Sequence, residues 1–125
     1  MDNIVLDSNF NLKVIDFGAA CSITGSDGSG WFMNGEVAGT ESYMSPEILL
    51  NMPYQPLMAD IFALGVIIFV MYTGFYPFES ARIDDKHYKY VFEFNMNRFW
   101  KKHEKYYGAP LNEDFKDLMS NMLAY

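Results

Sequence analysis

LMADIFALGVIIFVMYTG, residues 57–74, decides the fold. Between Ile61 and Tyr72 every residue except Gly65 is apolar or aromatic. A helix that is apolar all round is buried all round, either in a protein core or in lipid. Crossing a bilayer takes about 20 such residues, and a run of about 10–14 fits a core helix better. Asp60 stands at the entry and Thr73-Gly74 at the exit, the chemistry of a helix start and stop. The stretch is therefore expected to be a central buried helix, not a membrane span, with the rest of the chain packed around it.

Upstream, Ile4-Val5-Leu6 and Leu12-Lys13-Val14-Ile15 flank the turn-forming Asp7-Ser8-Asn9-Phe10-Asn11, so residues 3–16 predict a small β-hairpin. Residues 18–30 lose all periodicity and become polar and glycine-rich. Ser45-Pro46-Glu47 predicts a short helix start with Ser45 as its cap, and Met52-Pro53 is expected to end that helix. Downstream, residues 84–107 read as one or two amphipathic helices rich in Lys, Tyr and Phe. Gly108-Ala109-Pro110 breaks that pattern, and Asn112 is placed to cap a last helix carrying Phe115, Leu118, Met119 and Met122 at helical spacing. The expected class is mainly α, one domain of 125 residues with a single small hairpin at its front.

Charge is segregated along the chain. Positions 1–79 hold nine acidic residues with Lys13 as the sole base, while positions 82–105 carry seven of the nine Lys and Arg residues. A net charge of −7 argues against a nucleic-acid partner and suits a cationic ligand, metal ions or a basic peptide. Cys21 is the only cysteine, which excludes an internal disulfide and points to a reducing compartment, here taken as cytoplasmic. Met1-Asp2-Asn3 is acidic and the apolar run behind it ends at Leu6, so no signal peptide is read.

The chemistry lies in an order of short motifs. Asn3 is followed by the hairpin, Asp16-Phe17-Gly18, a loop, Gly39-Thr40, Tyr43-Met44-Ser45-Pro46-Glu47, then Asp60 heading a helix that contains Gly65. In this order the chain resembles the C-terminal lobe of a eukaryotic protein kinase, which carries a catalytic-loop Asn, an Asp-Phe-Gly turn and an Ala-Pro-Glu. Gly39-Thr40 with Tyr43 resembles the serine/threonine type, in the manner of calcium/calmodulin-dependent kinases.

That resemblance implies ATP and Mg2+ as cofactors and a protein hydroxyl as substrate. Asp16 is expected to chelate the magnesium bridging the phosphates and Asn3 to hold a second ion. Magnesium prefers hard oxygen ligands and is usually held by one or two carboxylates plus phosphate, which agrees. Phe17 is expected to pack beneath the turn, and Gly39-Thr40 to floor the peptide site, with the Thr40 hydroxyl steadying the catalytic aspartate. Ser45 stands where the family has Ala. Asp60 is matched to an aspartate that accepts bonds from catalytic-loop amides. Glu36 falls at the position of an activation-loop threonine and would act as a permanent, weaker phosphate. The plainer readings are local: turn residues at Asp16 and Gly39-Thr40, a strand-entry bond at Asn3, a helix-start charge at Asp60. His87 and His103 lack metal-ligand spacing and read as surface or half-buried side chains. Cys21 reads as a small buried thiol, and Arg98, Lys101, Lys102 and Lys105 as a solvated helix face.

Much of the family pattern has no counterpart here. Only Met1 and Asp2 precede Asn3, so the proton-accepting aspartate and its lysine would fall before residue 1. The glycine-rich loop, the phosphate-anchoring lysine and its glutamate have no match, and the arginine that pairs with the residue matched by Glu47 would fall beyond Tyr125. The expectation is a piece of a kinase domain, inactive and poorly folding alone. A non-catalytic scaffold of kinase-like shape is the rival reading.

Overall fold

The computed structural model describes residues 2–20, 23 and 39–124. Two strands, β1 (Ile4–Leu6) and β2 (Leu12–Val14), are followed by a 3-10 turn (Glu41–Tyr43). Five helices come next: α1 (Pro46–Leu49), α2 (Pro56–Thr73), α3 (Tyr88–Phe92), α4 (Met96–Tyr107) and α5 (Glu113–Met122). The mainly helical class with one hairpin is as read from the chain.

The strands pair antiparallel with Ile4 opposite Val14 and Leu6 opposite Leu12. Asp7 makes the turn. Its Oδ1 accepts from the amides of Asn9 and Asn11, both at 2.9 Å, and its Oδ2 from the Asn11 side chain at 3.1 Å. Those donors hold the Asp7 carboxyl below its ordinary range, the Asn11 amide most strongly. The hairpin was expected to pack on the helices and does not. Leu6, Leu12 and Val14 are each more than half exposed, and Phe17, expected beneath the turn, is 71% exposed. Only the head of β1 reaches the helices.

Helix α2 begins at Pro56 with Gln55 as its N-cap, one turn before Asp60, and stops at Gly74, whose φ of 83° puts it in the left-handed region that glycine enters freely. The expectation of burial on every side is corrected. Pro56, Phe62, Gly65, Val66 and Phe69 form one buried stripe, while Leu57, Met58, Ile61, Leu64, Met71 and Tyr72 are exposed. The reason is that α4, α5, the loop after α2 and the 3-10 turn supply its cover and leave the Leu57, Ile61, Leu64 and Met71 side open. By length and composition this helix could cross a membrane. Its buried stripe nevertheless docks on polar-faced helices of the same chain.

Phe69 centres that packing. It has no exposed surface, and the rings of Phe75, Phe99, Trp100, His103 and Phe115 all lie within 6.3 Å, centroid to centroid. Burying such a side chain is worth about 1.5–3 kcal/mol, and each well-placed ring pair adds about 0.5–1.5 kcal/mol. Gly65 permits the closest approach of α2 to α5, because a β-carbon there would sit 3.0 Å from Met122 Cβ and 3.1 Å from Leu123 Cδ2.

The short motifs behave locally in instructive ways. Ser45 occupies the cap position of α1 but makes no capping bond, and its Oγ is buried with no partner among the described residues. Helix α1 ends at Leu49, before Met52-Pro53, and Asn51 follows in the left-handed region at φ 53°. The stretch 84–107 resolves into α3 and α4, broken at residues 93–95. Asn112 Oδ1 accepts from the amides of Asp114 and Phe115, at 2.8 and 3.2 Å, and so caps α5. Glu104 then ties α4 to α5 by accepting from the Leu111 amide at 3.1 Å and pairing with Lys116. Lys101, Lys102 and Lys105 face solvent, and Arg98 lies 5.0 Å from the Tyr90 ring centroid. Cys21 and Glu36 lie outside the described residues.

His103 departs most from expectation. It is fully buried, with Nδ1 2.9 Å from the Phe99 carbonyl and Nε2 2.8 Å from the Pro77 carbonyl. A neutral ring donates one of those bonds, and only a protonated ring donates both. Burial lowers the His103 pKa despite the two carbonyls, and burial likewise lowers that of half-buried His87, whose ring centroid lies 5.0 Å away.

Two outcomes follow. Gly65→Ala should destabilise the fold by about 1–3 kcal/mol in chemical denaturation, overpacking outweighing the helix-propensity gain of about 1 kcal/mol. Equal or higher stability would show that α5 can move aside. The second concerns acid. Both histidines hold folded-state pKa values below the unfolded 6.5, so the unfolded chain takes up protons first as pH falls. Stability is therefore full above about pH 6.5 and declines below it. Melting temperature should drop from pH 7.5 to 5.5, and His103→Gln should flatten that drop. An unchanged pH slope in the variant would remove His103 from this account.

Candidate functional site

Three distant stretches of chain meet at one cavity of about 380 Å³. Asp2 and Asn3 come from the head of β1, Gly39, Thr40 and Tyr43 from the segment before α1, and Asp60 from the first turns of α2. Ala59 and Ala63, small side chains on the same helix, line it alongside Asp60. An apolar helix thus supplies a carboxylate to a wall where a basic or hydroxyl-bearing ligand can reach it.

Asn3 and Asp16 lie at the same open end of the hairpin. The Ile15 amide donates to the Asn3 carbonyl at 2.9 Å, extending the ladder by one pair and leaving Asp16 one residue further on. Asp16 takes a left-handed φ of 62°, an uncommon conformation for a residue with a side chain and one concentrated at functional sites. Its Oδ1 accepts from the Gly18 amide at 3.2 Å. A β-carbon on Gly18 would lie 3.2 Å from that same oxygen, so the turn is shaped for glycine there. Asp16 itself does not line the cavity and is exposed.

The donor set bears on metal chemistry. Among the described residues no group of three or more His, Cys, Asp or Glu side chains could hold a metal by itself. One exposed carboxylate and one amide at the same hairpin end fit magnesium of the shared kind, held partly by protein oxygen and partly by ligand phosphate. They do not make a self-sufficient cage.

Thr40 and the 3-10 turn behind it are held tightly. The Tyr43 amide donates to the Thr40 carbonyl at 3.1 Å. Across the turn, the Tyr43 and Tyr76 hydroxyls are 2.8 Å apart with the rings edge-on at 5.7 Å. Burial pushes the Tyr43 pKa up to about 12, helped by the Tyr76 hydrogen bond and the nearby Asp2 charge. Tyr43 is therefore a neutral phenol at any physiological pH. Glu47 is half-buried and pairs with no base among the described residues. Ser45, the N-cap of α1, and Pro46 and Glu47 in its first turn do not line the cavity, and Gly65 faces α5 instead.

Sequence reasoning brought Asn3, Gly39, Thr40 and Asp60 to the site, and the structure gathers these four. It did not bring Asp2, which lines the cavity, or Tyr76, which holds Tyr43 from outside it. Asp2 could have been noticed as the charge adjoining Asn3; Tyr76 gave no signal, since its partner is 33 positions away in the chain.

Comparison with known proteins adds a separate line. The chain is 33% identical over 124 residues to testis-specific serine/threonine-protein kinase 1 of Mus musculus, covering 98% of this chain and 31% of that protein. It is 39% identical over 125 residues to testis-specific serine/threonine-protein kinase 2 of Mus musculus, covering 98% and 32%. Against serine/threonine-protein kinase CHK1 of Saccharomyces cerevisiae it is 32% identical over 112 residues, covering 89% and 21%. The chain thus spans about a third of the length of the first two relatives. The protein kinase domain matches across residues 1–125. With its motif order and fold in agreement with that match, the chain belongs to the protein kinase family.

Proposed function

We propose that these residues are the C-terminal-lobe part of a serine/threonine kinase catalytic domain, one whose whole protein transfers the γ-phosphoryl group of ATP to a protein hydroxyl. The observation that carries this reading is the cavity where Asn3, Gly39-Thr40 and Asp60 converge from three separated stretches. Phosphoryl transfer asks a protein mainly to position its reactants and neutralise charge. Asp16 and Asn3, at one hairpin end, serve as the magnesium ligands, and the metal supplies neutralisation of the phosphate charge. Gly39 and Thr40 form the floor on which the peptide hydroxyl is presented, and Asp60 anchors the backbone of the neighbouring loop. Phe17-Gly18, Glu36 and Ser45-Pro46-Glu47 belong to the activation segment in this reading. The proton-accepting aspartate and the phosphate-anchoring lysine are to be supplied by the remainder of the protein.

Two features support a larger whole. Half-buried Glu47 has no base to pair with among the described residues. The exposed stripe of Leu57, Ile61, Leu64 and Met71 runs along α2, and neighbouring exposed apolar side chains of this kind suit a contact face. No observation favours the non-catalytic rival.

In the full-length protein, Asp16→Ala should lower kcat for peptide phosphorylation by at least about 10²-fold. Asn3→Ala should cost less, about tenfold in the apparent magnesium requirement. Residues 1–125 alone should transfer no phosphate. Normal turnover by a folded Asp16→Ala enzyme would overturn the assignment, and activity of the isolated chain would contradict the division of labour.

A further inference from the structure

Three consecutive side chains of the 3-10 turn grip one loop, residues 75–82. Glu41 Oε1 lies 3.8 Å from Arg82 Nη2. The Ser42 hydroxyl donates to the Glu79 carbonyl at 2.9 Å. The Tyr43 and Tyr76 hydroxyls share a hydrogen bond at 2.8 Å. This turn follows Gly39-Thr40 directly and is bonded back to the Thr40 carbonyl, so the loop's position sets the height of the proposed peptide floor.

The loop is fixed in turn from elsewhere. Phe78 is buried against Phe62 and Tyr88, at 5.9 and 5.1 Å between centroids. Asp85 accepts from the Glu79 amide at 3.1 Å, and Lys86 bonds the Glu79 carboxylate at 2.9 Å. From α4, His103 Nε2 reaches the Pro77 carbonyl at 2.8 Å, immediately beside Tyr76. His103 is itself held by the Phe99 carbonyl and by the rings of Phe69, Phe75, Phe99 and His87. A buried imidazole wedged among rings, bonded to a carbonyl with a tyrosine next to it, has little freedom to shift. That rigidity passes through Pro77 and Tyr76 to Tyr43.

We propose that His103 and Tyr76 are positioning residues for the peptide substrate, fixing the Gly39-Thr40 floor through the Pro77 carbonyl and the Tyr76–Tyr43 hydroxyl pair. The inference rests on the kinase reading. Neither residue lines the cavity, so both act through Tyr43. Their loss loosens the floor without touching the nucleotide end, which the hairpin carries.

The test uses the full-length protein and the peptide it phosphorylates best from a degenerate serine/threonine peptide library. Tyr76→Phe removes one hydroxyl and little else. It should raise the peptide KM by about two- to tenfold, the worth of one hydrogen bond, with kcat and the ATP KM within about twofold of the parent. His103→Leu should do the same, and His103→Gln, which can still donate toward the Pro77 carbonyl, should recover most of the loss. If His103→Leu does not fold, Tyr76→Phe and His103→Gln decide between them. An active parent whose peptide KM is unmoved in Tyr76→Phe overturns this inference and leaves the kinase reading standing. So does a parallel fall of kcat and ATP affinity, the mark of general damage. A parent that phosphorylates no peptide in the library overturns the kinase reading and this inference together.

Discussion

Phe69 is the side chain on which the rest of the structure depends. It projects from the middle of α2 into rings contributed by α4, α5 and the loop that follows α2. Without that convergence α4 would have no reason to lie against α2, and His103 would not reach the Pro77 carbonyl. The same packing explains why so acidic and aromatic a chain has order at all. Its core is built from flat, rigid side chains that lose little conformational freedom on burial, many of them placed edge to face at 4.8–5.1 Å. The site inherits its geometry from this centre. Phe69 orders α4, α4 holds the loop, and the loop holds the turn behind Thr40.

The apolar surface left on α2 and on the hairpin has a physical cost. Leu57, Met58, Ile61, Leu64 and Met71 on the helix, with Leu6, Leu12, Val14 and Phe17 on the hairpin, remain in water. In the proposed larger protein these surfaces have partners, which is how a helix apolar on all sides finds cover on all sides. The exposed carboxylate of Asp16 has the same character. It sits in a left-handed turn with a single local donor and is arranged for something brought to it.

Local chemistry was legible in the residues, and sidedness was not. Gly74 and Asn112 announced a helix stop and a helix cap, because a left-handed residue and an amide-accepting side chain act within a few positions. Helix α2 could be located but not oriented, since a stretch with no polar face carries no periodicity to say which stripe is covered. Its start was set by Pro56 rather than Asp60, a reminder that proline at the first turn outweighs a charge one turn later. His103 read as a surface or half-buried residue because nothing near it in sequence announces a carbonyl 26 positions back. Phe17 read as packed because its motif packs in whole kinases. Of the residues lining the cavity, the order of short motifs singled out Asn3, Gly39, Thr40 and Asp60, each ordinary alone, while Asp16, singled out by the same order, does not line it. Tyr76 required the fold.

The central proposal is that Asp16 and Asn3 together form the metal and nucleotide end of an active site whose other end is the Gly39-Thr40 peptide floor. Manganese can replace magnesium at such oxygen sites and broadens the NMR signals of nuclei near it. Adding Mn2+ with a non-hydrolysable ATP analogue to the isotope-labelled full-length protein tests the claim most directly. The account predicts that signals of Asn3, Asp16 and Gly18 broaden first and that Asp16→Ala abolishes the effect. Broadening centred instead on the carboxylates of α4 and α5, or unchanged in the Asp16 variant, would contradict it.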